Sequence, residues 1–167
     1  STPPSTYRHK AMASLLGIDL GIKTGLALFE APDDLLWYRS TNFGSRARLK
    51  AGAFSLLKAT PDLERIVLEG GGDLAWIWAK EAARQGIACK VIQAWTWRQE
   101  LLLPRQTPSG SKAKEAAIAL AMHIIRISAA PRPKTRLRHD CAEAILVGYW
   151  GILDAGWISP QEKIQLE

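Results

Sequence analysis

The sequence predicts a single α/β domain whose sheet opens as an antiparallel meander and continues with parallel strands. Three observations predict it. The first three apolar runs follow one another through short turns. Two later apolar runs are each preceded by a stretch of helical periodicity, as parallel crossovers require. The remainder of the chain is helical in pattern, giving the order βββαβαβ followed by helices.

Residues 14–20 and 25–31, within SLLGIDLGIKTGLALFE, read as strands joined through Gly21 and Gly25. LLWYRST, 35–41, supplies the third strand after the turn-forming APDD. Residues 46–58, RARLKAGAFSLLK, place Leu49, Ala53, Leu56 and Leu57 on one side of a helix. ERIVLEG is a short buried-strand pattern that reaches Glu69 at its end. GGDLAWIWAKEAARQG starts on glycines, with Asp73 as the expected N-cap, and closes at Gly86. IACKVIQA is the fifth strand. Residues 95–103 form a short helix stopped by Pro104, and QTPSGS is a loop. A long Ala-rich helix spans 111–128 and ends at the breaker AAPRP; the last helix spans 139–154. No internal repeat or long linker divides the chain, so residues 13–158 are expected to form one domain, with a C-terminal tail at 159–167. The polar, Pro-rich STPPSTYRHKAM, 1–12, reads as a disordered arm, a processed end or a tag remnant.

Apolar residues make up 47% of the chain and are spread throughout, which argues against disorder. No apolar run approaches the roughly 18 residues of a membrane span, and no signal-peptide pattern is present, so no membrane partner and no secretion are expected. Cys89 and Cys141 lack metal-type spacing and are expected to stay reduced, in a cytoplasmic, nucleoid or organellar-matrix setting. The formal charge of +6 favours a polyanionic partner, nucleic acid first.

Four acids stand against apolar surroundings. Asp19 lies at the end of the first strand and Glu69 ends the fourth; Asp140 and Glu143 share one face of the last helix at i, i+3 spacing. If strands one and four are neighbours, the first two meet at one end of the sheet, where the last helix can add the others. Such carboxylates repel unless cations neutralise them, and hard divalent ions suit all-oxygen donors. Two Mg²⁺ ions together can activate water and stabilise the leaving oxygen of a phosphodiester. Each acid also has a simpler use: Asp19 as acceptor for the glycine turn, Glu69 as a solvated strand end, and Asp140 with Glu143 as partners of a helix N-terminus.

GIDLGIKTGLAL, IVLEGGG, SGSKAKEAAIALA and HDCAEAILVGYWG resemble, in order and spacing, the motifs of RuvC-type Holliday junction resolvases of the ribonuclease H-like superfamily. RLRHDCAEAILVGYWG and AWTWRQELLL are closer to the branch found in chloroplast resolvases and related phage proteins. The resemblance covers most of residues 14–154 and implies a ribonuclease H-like five-stranded sheet, antiparallel in 1-2-3 and parallel in 1-4-5. It implies a homodimeric DNA endonuclease that nicks four-way junctions symmetrically. Two Mg²⁺ per subunit, replaceable by Mn²⁺, would sit on Asp19, Glu69, Asp140 and Glu143, with no small-molecule cofactor. Bacterial members usually carry Asp where Glu143 stands, and GGGDLAWIW does not match their aromatic-bearing segment. The first motif also resembles actin-like ATPases, which need two such domains, and short YqgF-type RNA-processing nucleases. A non-catalytic junction-binding module is the remaining alternative.

Several residues are expected to meet DNA. Arg132, Lys134, Arg136 and Arg138 form a basic stretch directly before the last helix. Lys112 and Lys114 open the long helix, and the resemblance implies that one of them faces the scissile phosphate, Lys114 being the first choice. His139 could hold a water or phosphate, or cap its helix. Of seven tryptophans, Trp95 and Trp97, beside Arg98, are the candidates for DNA contact. The helix around Trp76 and Ala83 is the expected dimer surface.

Overall fold

The computed structural model describes residues 13–165, so the arm expected at 1–12 lies outside the described residues. The strands are β1 (Ser14–Asp19), β2 (Lys23–Glu30), β3 (Asp34–Asn42), β4 (Leu63–Glu69) and β5 (Ala88–Ile92). They form one mixed sheet in the order β3-β2-β1-β4-β5. β1 pairs antiparallel with β2, and β2 with β3, while β1, β4 and β5 run parallel. The helices are α1 (Arg46–Ala59), α2 (Gly72–Arg84), α3 (Ala94–Leu101), α4 (Gly110–Arg126) and α5 (His139–Asp154). This is the mixed five-stranded sheet that the sequence predicts.

Alternation along β1 divides the core into two layers. Leu16 and Ile18 join Leu49, Ala53 and Leu57 of α1 and Trp78 and Ala82 of α2 on one face. Leu15 joins Trp97, Leu120, Ile124, Ile145 and Ile152 on the other, where α3, α4 and α5 lie. The sheet is thus covered on both sides, as its parallel half requires. β5 is an edge strand, exposed from Ala88 to Val91, and only Ile92 is buried.

α5 sits directly on the sheet. A methyl group added at Gly17 would come 2.4 Å from the Ala144 carbonyl oxygen and 2.5 Å from the Gly148 nitrogen. At Gly25 it would come 2.1 Å from the carbonyl oxygen of Asp140. Glycine at these two strand positions lets the backbones touch, which fixes the height of α5 above β1 and β2.

One helix start differs from expectation. α2 starts with Gly71 at its N-cap, in extended backbone without a side-chain bond, so Asp73 lies inside the first turn. There it forms an exposed ion pair with Arg46 at 3.5 Å. Lys163 and Ile164, within the stretch expected as a tail, bond to the domain: Ile164 N donates to Tyr149 Oη at 3.0 Å, and Lys163 Nζ to the Glu100 carbonyl at 2.7 Å. Both cysteines are free, Cys141 buried and Cys89 exposed. Among the described residues no helix is long and apolar enough to cross a membrane.

Candidate active site

Parallel pairing places Asp19 of β1 opposite Glu69 of β4, both at the C-terminal ends of their strands. Gly25 pairs with Asp19 across β2, and its missing side chain admits the first turn of α5 at the same sheet end. Glu143, at the next turn of α5, completes a group of three. One carboxylate oxygen from each of Asp19, Glu69 and Glu143 lies within 4.8 Å of the others. Glu69 and Glu143 are buried and Asp19 is partly so.

Three carboxylates this close, out of bulk water, resist ionising together. Burial first, then the charges of Glu143 and Glu69, raise the Asp19 carboxyl to about 8. Glu143 is likewise raised to about 8, by burial first and then by the Glu69 carboxyl beside it. Arg98 and Lys114 pull Glu143 in the opposite direction. The Arg98 guanidinium lies 3.7 Å from Glu143 Oε1, and His139 Nε2 lies 2.8 Å from the same oxygen. Burial, with the charges of Lys114 and Arg98, lowers the His139 imidazole below its ordinary value against the opposing pull of Glu69 and Asp140.

Glu69 is held by a residue that the sequence reading assigned elsewhere. Trp97 was expected to meet DNA, but its side chain is fully buried and its Nε1 donates to Glu69 Oε1 at 2.9 Å. It therefore offers no face for stacking, and the exposed tryptophan of α3 is Trp95. Glu69 Oε2, by contrast, is buried without a hydrogen-bond partner. A buried carboxylate oxygen left unpartnered beside two further carboxylates is a set of hard donors short of a cation, and it fits Mg²⁺ or Mn²⁺.

Asp140 lies outside this group of three. Ser40 of β3 donates its hydroxyl to Asp140 Oδ2, and Oδ1 accepts from the Cys141 backbone N–H at 3.0 Å. It remains near enough for its charge to act on Asp19 and His139. Ser40 is a site-adjacent residue that sequence reasoning missed, since nothing local to β3 marks it.

The basic candidates separate into two sets. Lys114 is exposed on α4, yet its charge reaches both Glu143 and His139. Lys112, two residues earlier, lines a shallow cavity with Arg105 and Glu115. Arg132, Lys134, Arg136 and Arg138 are all exposed. Their segment is held at one end by Tyr38 Oη donating to the Pro131 carbonyl at 2.6 Å, and near the other by buried Leu137. Arg138 occupies the N-cap position of α5, so the basic stretch leads directly into the turn that carries Asp140.

No protein-family model matches the chain, and no curated protein matches it. Among solved structures, it is similar to T. thermophilus RuvC in complex with a Holliday junction substrate. That match has a TM-score of 0.60 and 18% identity, and covers 87% of this chain and 97% of that one. It also aligns with the large terminase nuclease from the thermophilic phage G20c, with a TM-score of 0.45, 14% identity and coverage of 83% of this chain and 81% of that one.

Proposed function

We propose, from the premise that this chain has the ribonuclease H-like fold found in RuvC, that it is a divalent-metal-dependent nuclease acting on branched DNA. The observation that carries this reading is the meeting of Asp19, Glu69 and Glu143 at one sheet end, with a Glu69 oxygen left unpartnered. The more specific activity is that of a crossover junction endodeoxyribonuclease. It would introduce paired, symmetric nicks in four-way junctions during recombination or repair, leaving 5′-phosphate and 3′-hydroxyl ends.

Asp19, Glu69 and Glu143 would hold Mg²⁺, two ions per subunit, with Asp140 as the fourth ligand at the rim and Mn²⁺ as a substitute. When bound, such ions supply Lewis-acid polarisation of the phosphodiester and lower the pKa of water. The chain's own residues do the rest. Trp97 holds the Glu69 carboxylate by occupying Oε1, which leaves the buried Oε2 free for a cation. Arg98 tempers the charge on Glu143, so the acids can ionise together. Ser40 steadies Asp140. Lys114 places a cation where negative charge grows on the phosphoryl oxygens. Arg132, Lys134, Arg136 and Arg138 grip flanking phosphates and set the register of the strand.

Symmetric nicking requires two such sites related by a two-fold axis, so the active form is a homodimer. The face of α2 supports this, because Trp76 stands 60% exposed there and Ala83 is also exposed. Light scattering at micromolar concentration would read a dimer, and a fully active monomer would refute it. A nucleoid, in a cytoplasm or an organelle matrix, is where this substrate occurs.

The test is cleavage of a synthetic four-way junction in Mg²⁺, with a matched linear duplex and a structured RNA alongside. Wild type should cut the junction in preference to both, and Asp19→Asn should not cut it. Equal cutting by the two proteins would sink the metal assignment, and preference for the RNA would move the substrate class.

A further inference from the structure

α3 presents a second row of side chains on the side away from its buried residues. Trp97 and Leu101 face the core, whereas Trp95, Arg98 and Gln99, at i, i+3 and i+4, line one open groove of about 550 Å³, joined there by the buried Leu102 just past the helix. The facing wall comes from the loop before α4 and its first turn, including Pro108 and Gly110. This volume is within the range of ordinary ligand sites.

Two features indicate what the groove takes. Trp95 is 62% exposed at its edge, a large aromatic surface to leave in water. The other exposed aromatics, Phe54 and Trp76, each have a lysine ammonium over the ring, at 5.3 and 4.6 Å. Among the described residues no cation covers Trp95, so its ring face is open. The second feature is Arg98, which lines the groove while its guanidinium lies 3.7 Å from Glu143. The groove therefore runs up to the acidic group, with a cation at the join.

We propose that this groove is a nucleobase-binding subsite. Trp95 stacks a base that has left its duplex neighbours beside the phosphate to be cut, and Arg98 meets the backbone phosphate between that base and the acids. The proposal rests on the reading above in that the ligand is nucleic acid. A flat π surface, apolar walls from Leu102 and Pro108, and one guanidinium match an unstacked nucleotide. Stacking on an aromatic ring tolerates any base, so the subsite reads the opening of the duplex rather than its sequence.

The experiment is a binding cycle between Trp95 and the DNA, carried out with Ca²⁺ in place of Mg²⁺ so that nothing is cut. A single abasic position is moved through the nucleotides flanking the branch point of a four-way junction. For wild type, one position should weaken binding by about 5- to 150-fold, the range of one base–aromatic stack. Trp95→Ala should bind the intact junction weaker by a similar factor and be indifferent to the abasic site at that position. Trp95→Phe, which keeps a ring, should retain most of the affinity. The subsite is overturned if Trp95→Ala binds the intact junction as wild type does. It is equally overturned if the abasic losses are the same in both proteins at every position. A wild type that binds the junction but cuts nothing in Mg²⁺ would refute the nuclease reading, and the binding cycle would still decide on the subsite.

Discussion

Trp97 donates its indole N–H to Glu69 Oε1 at 2.9 Å inside the core, linking the short helix after β5 to the end of β4. The bond ties up one carboxylate oxygen of a residue that groups with Asp19 and Glu143, and leaves the other, Oε2, buried without a partner. Trp97→Phe keeps the buried ring and removes only the donor. We expect Mn²⁺ affinity, read by electron paramagnetic resonance, to fall about 10- to 100-fold, as for other residues that orient a metal ligand. Unchanged Mn²⁺ affinity with lowered thermal stability would reduce the bond to a structural role.

The pH dependence of stability follows from the two raised carboxyls. Asp19 and Glu143 rise from 3.8 and 4.5 to about 8 on folding, so the native chain holds protons that the unfolded chain has released. Their contribution is complete below the unfolded values and is lost as pH rises through about 8. In the metal-free protein, this contribution should lower Tm across that window, and Asp19→Asn should flatten the fall. Because ligands must be deprotonated to bind a cation, Mg²⁺ should raise Tm more above about pH 8 than at about pH 6. A Tm shift on Mg²⁺ addition that ignored pH would contradict the grouping of these acids.

Lys114 and Lys112 test position against charge, since both lie in the first turns of α4. Lys114→Met should reduce junction cleavage by about 100-fold at unchanged binding, the scale of removing one donor to developing charge. Lys112→Met should stay within a few-fold of wild type, because that side chain belongs to another cavity. The reverse ranking, in single-turnover rates, would exchange their roles.

Close approach at Gly17 predicts a large effect from one methyl group. Gly17→Ala drives a carbon into the α5 backbone and should cost about 3 kcal/mol or more in urea unfolding. Gly110→Ala, with nothing within 4 Å of the added carbon, should be neutral or slightly stabilising. Similar small effects at both positions would mean that α5 has room to lift off the sheet.

Much of this arrangement was legible in the sequence, and its gaps have physical causes. The first three strands announce themselves because short turns separate apolar runs. Asp19 and Glu69 could be paired because each ends its strand, and parallel neighbours align such ends. The i, i+3 spacing of Asp140 and Glu143 placed both on one face of α5, but it could not reveal that Ser40, 100 positions away, holds one of them. IACKVIQA could be read as a strand, but not as an edge strand, a position that leaves Val91 46% exposed. Trp97 was misjudged although a signal existed. Residues two apart on a helix point about 200° apart, so Trp95 and Trp97 could not both face solvent. Leu101, four residues after Trp97, marked the inner side.

The contact between α5 and the two glycine-bearing strands governs which parts of this protein can vary. A helix resting on side chains can shift when those side chains repack, but one resting on main chain has no such cushion. Asp19 and Glu143 are thus carried by elements that behave as one solid piece, machined to the tolerance of a van der Waals contact. Adaptation to a differently shaped substrate is left to the parts bolted onto that piece: the loop before α4, the basic segment before α5 and the outer row of α3. Grafting those three segments from a related protein should transfer substrate preference while leaving the metal-holding geometry as it is.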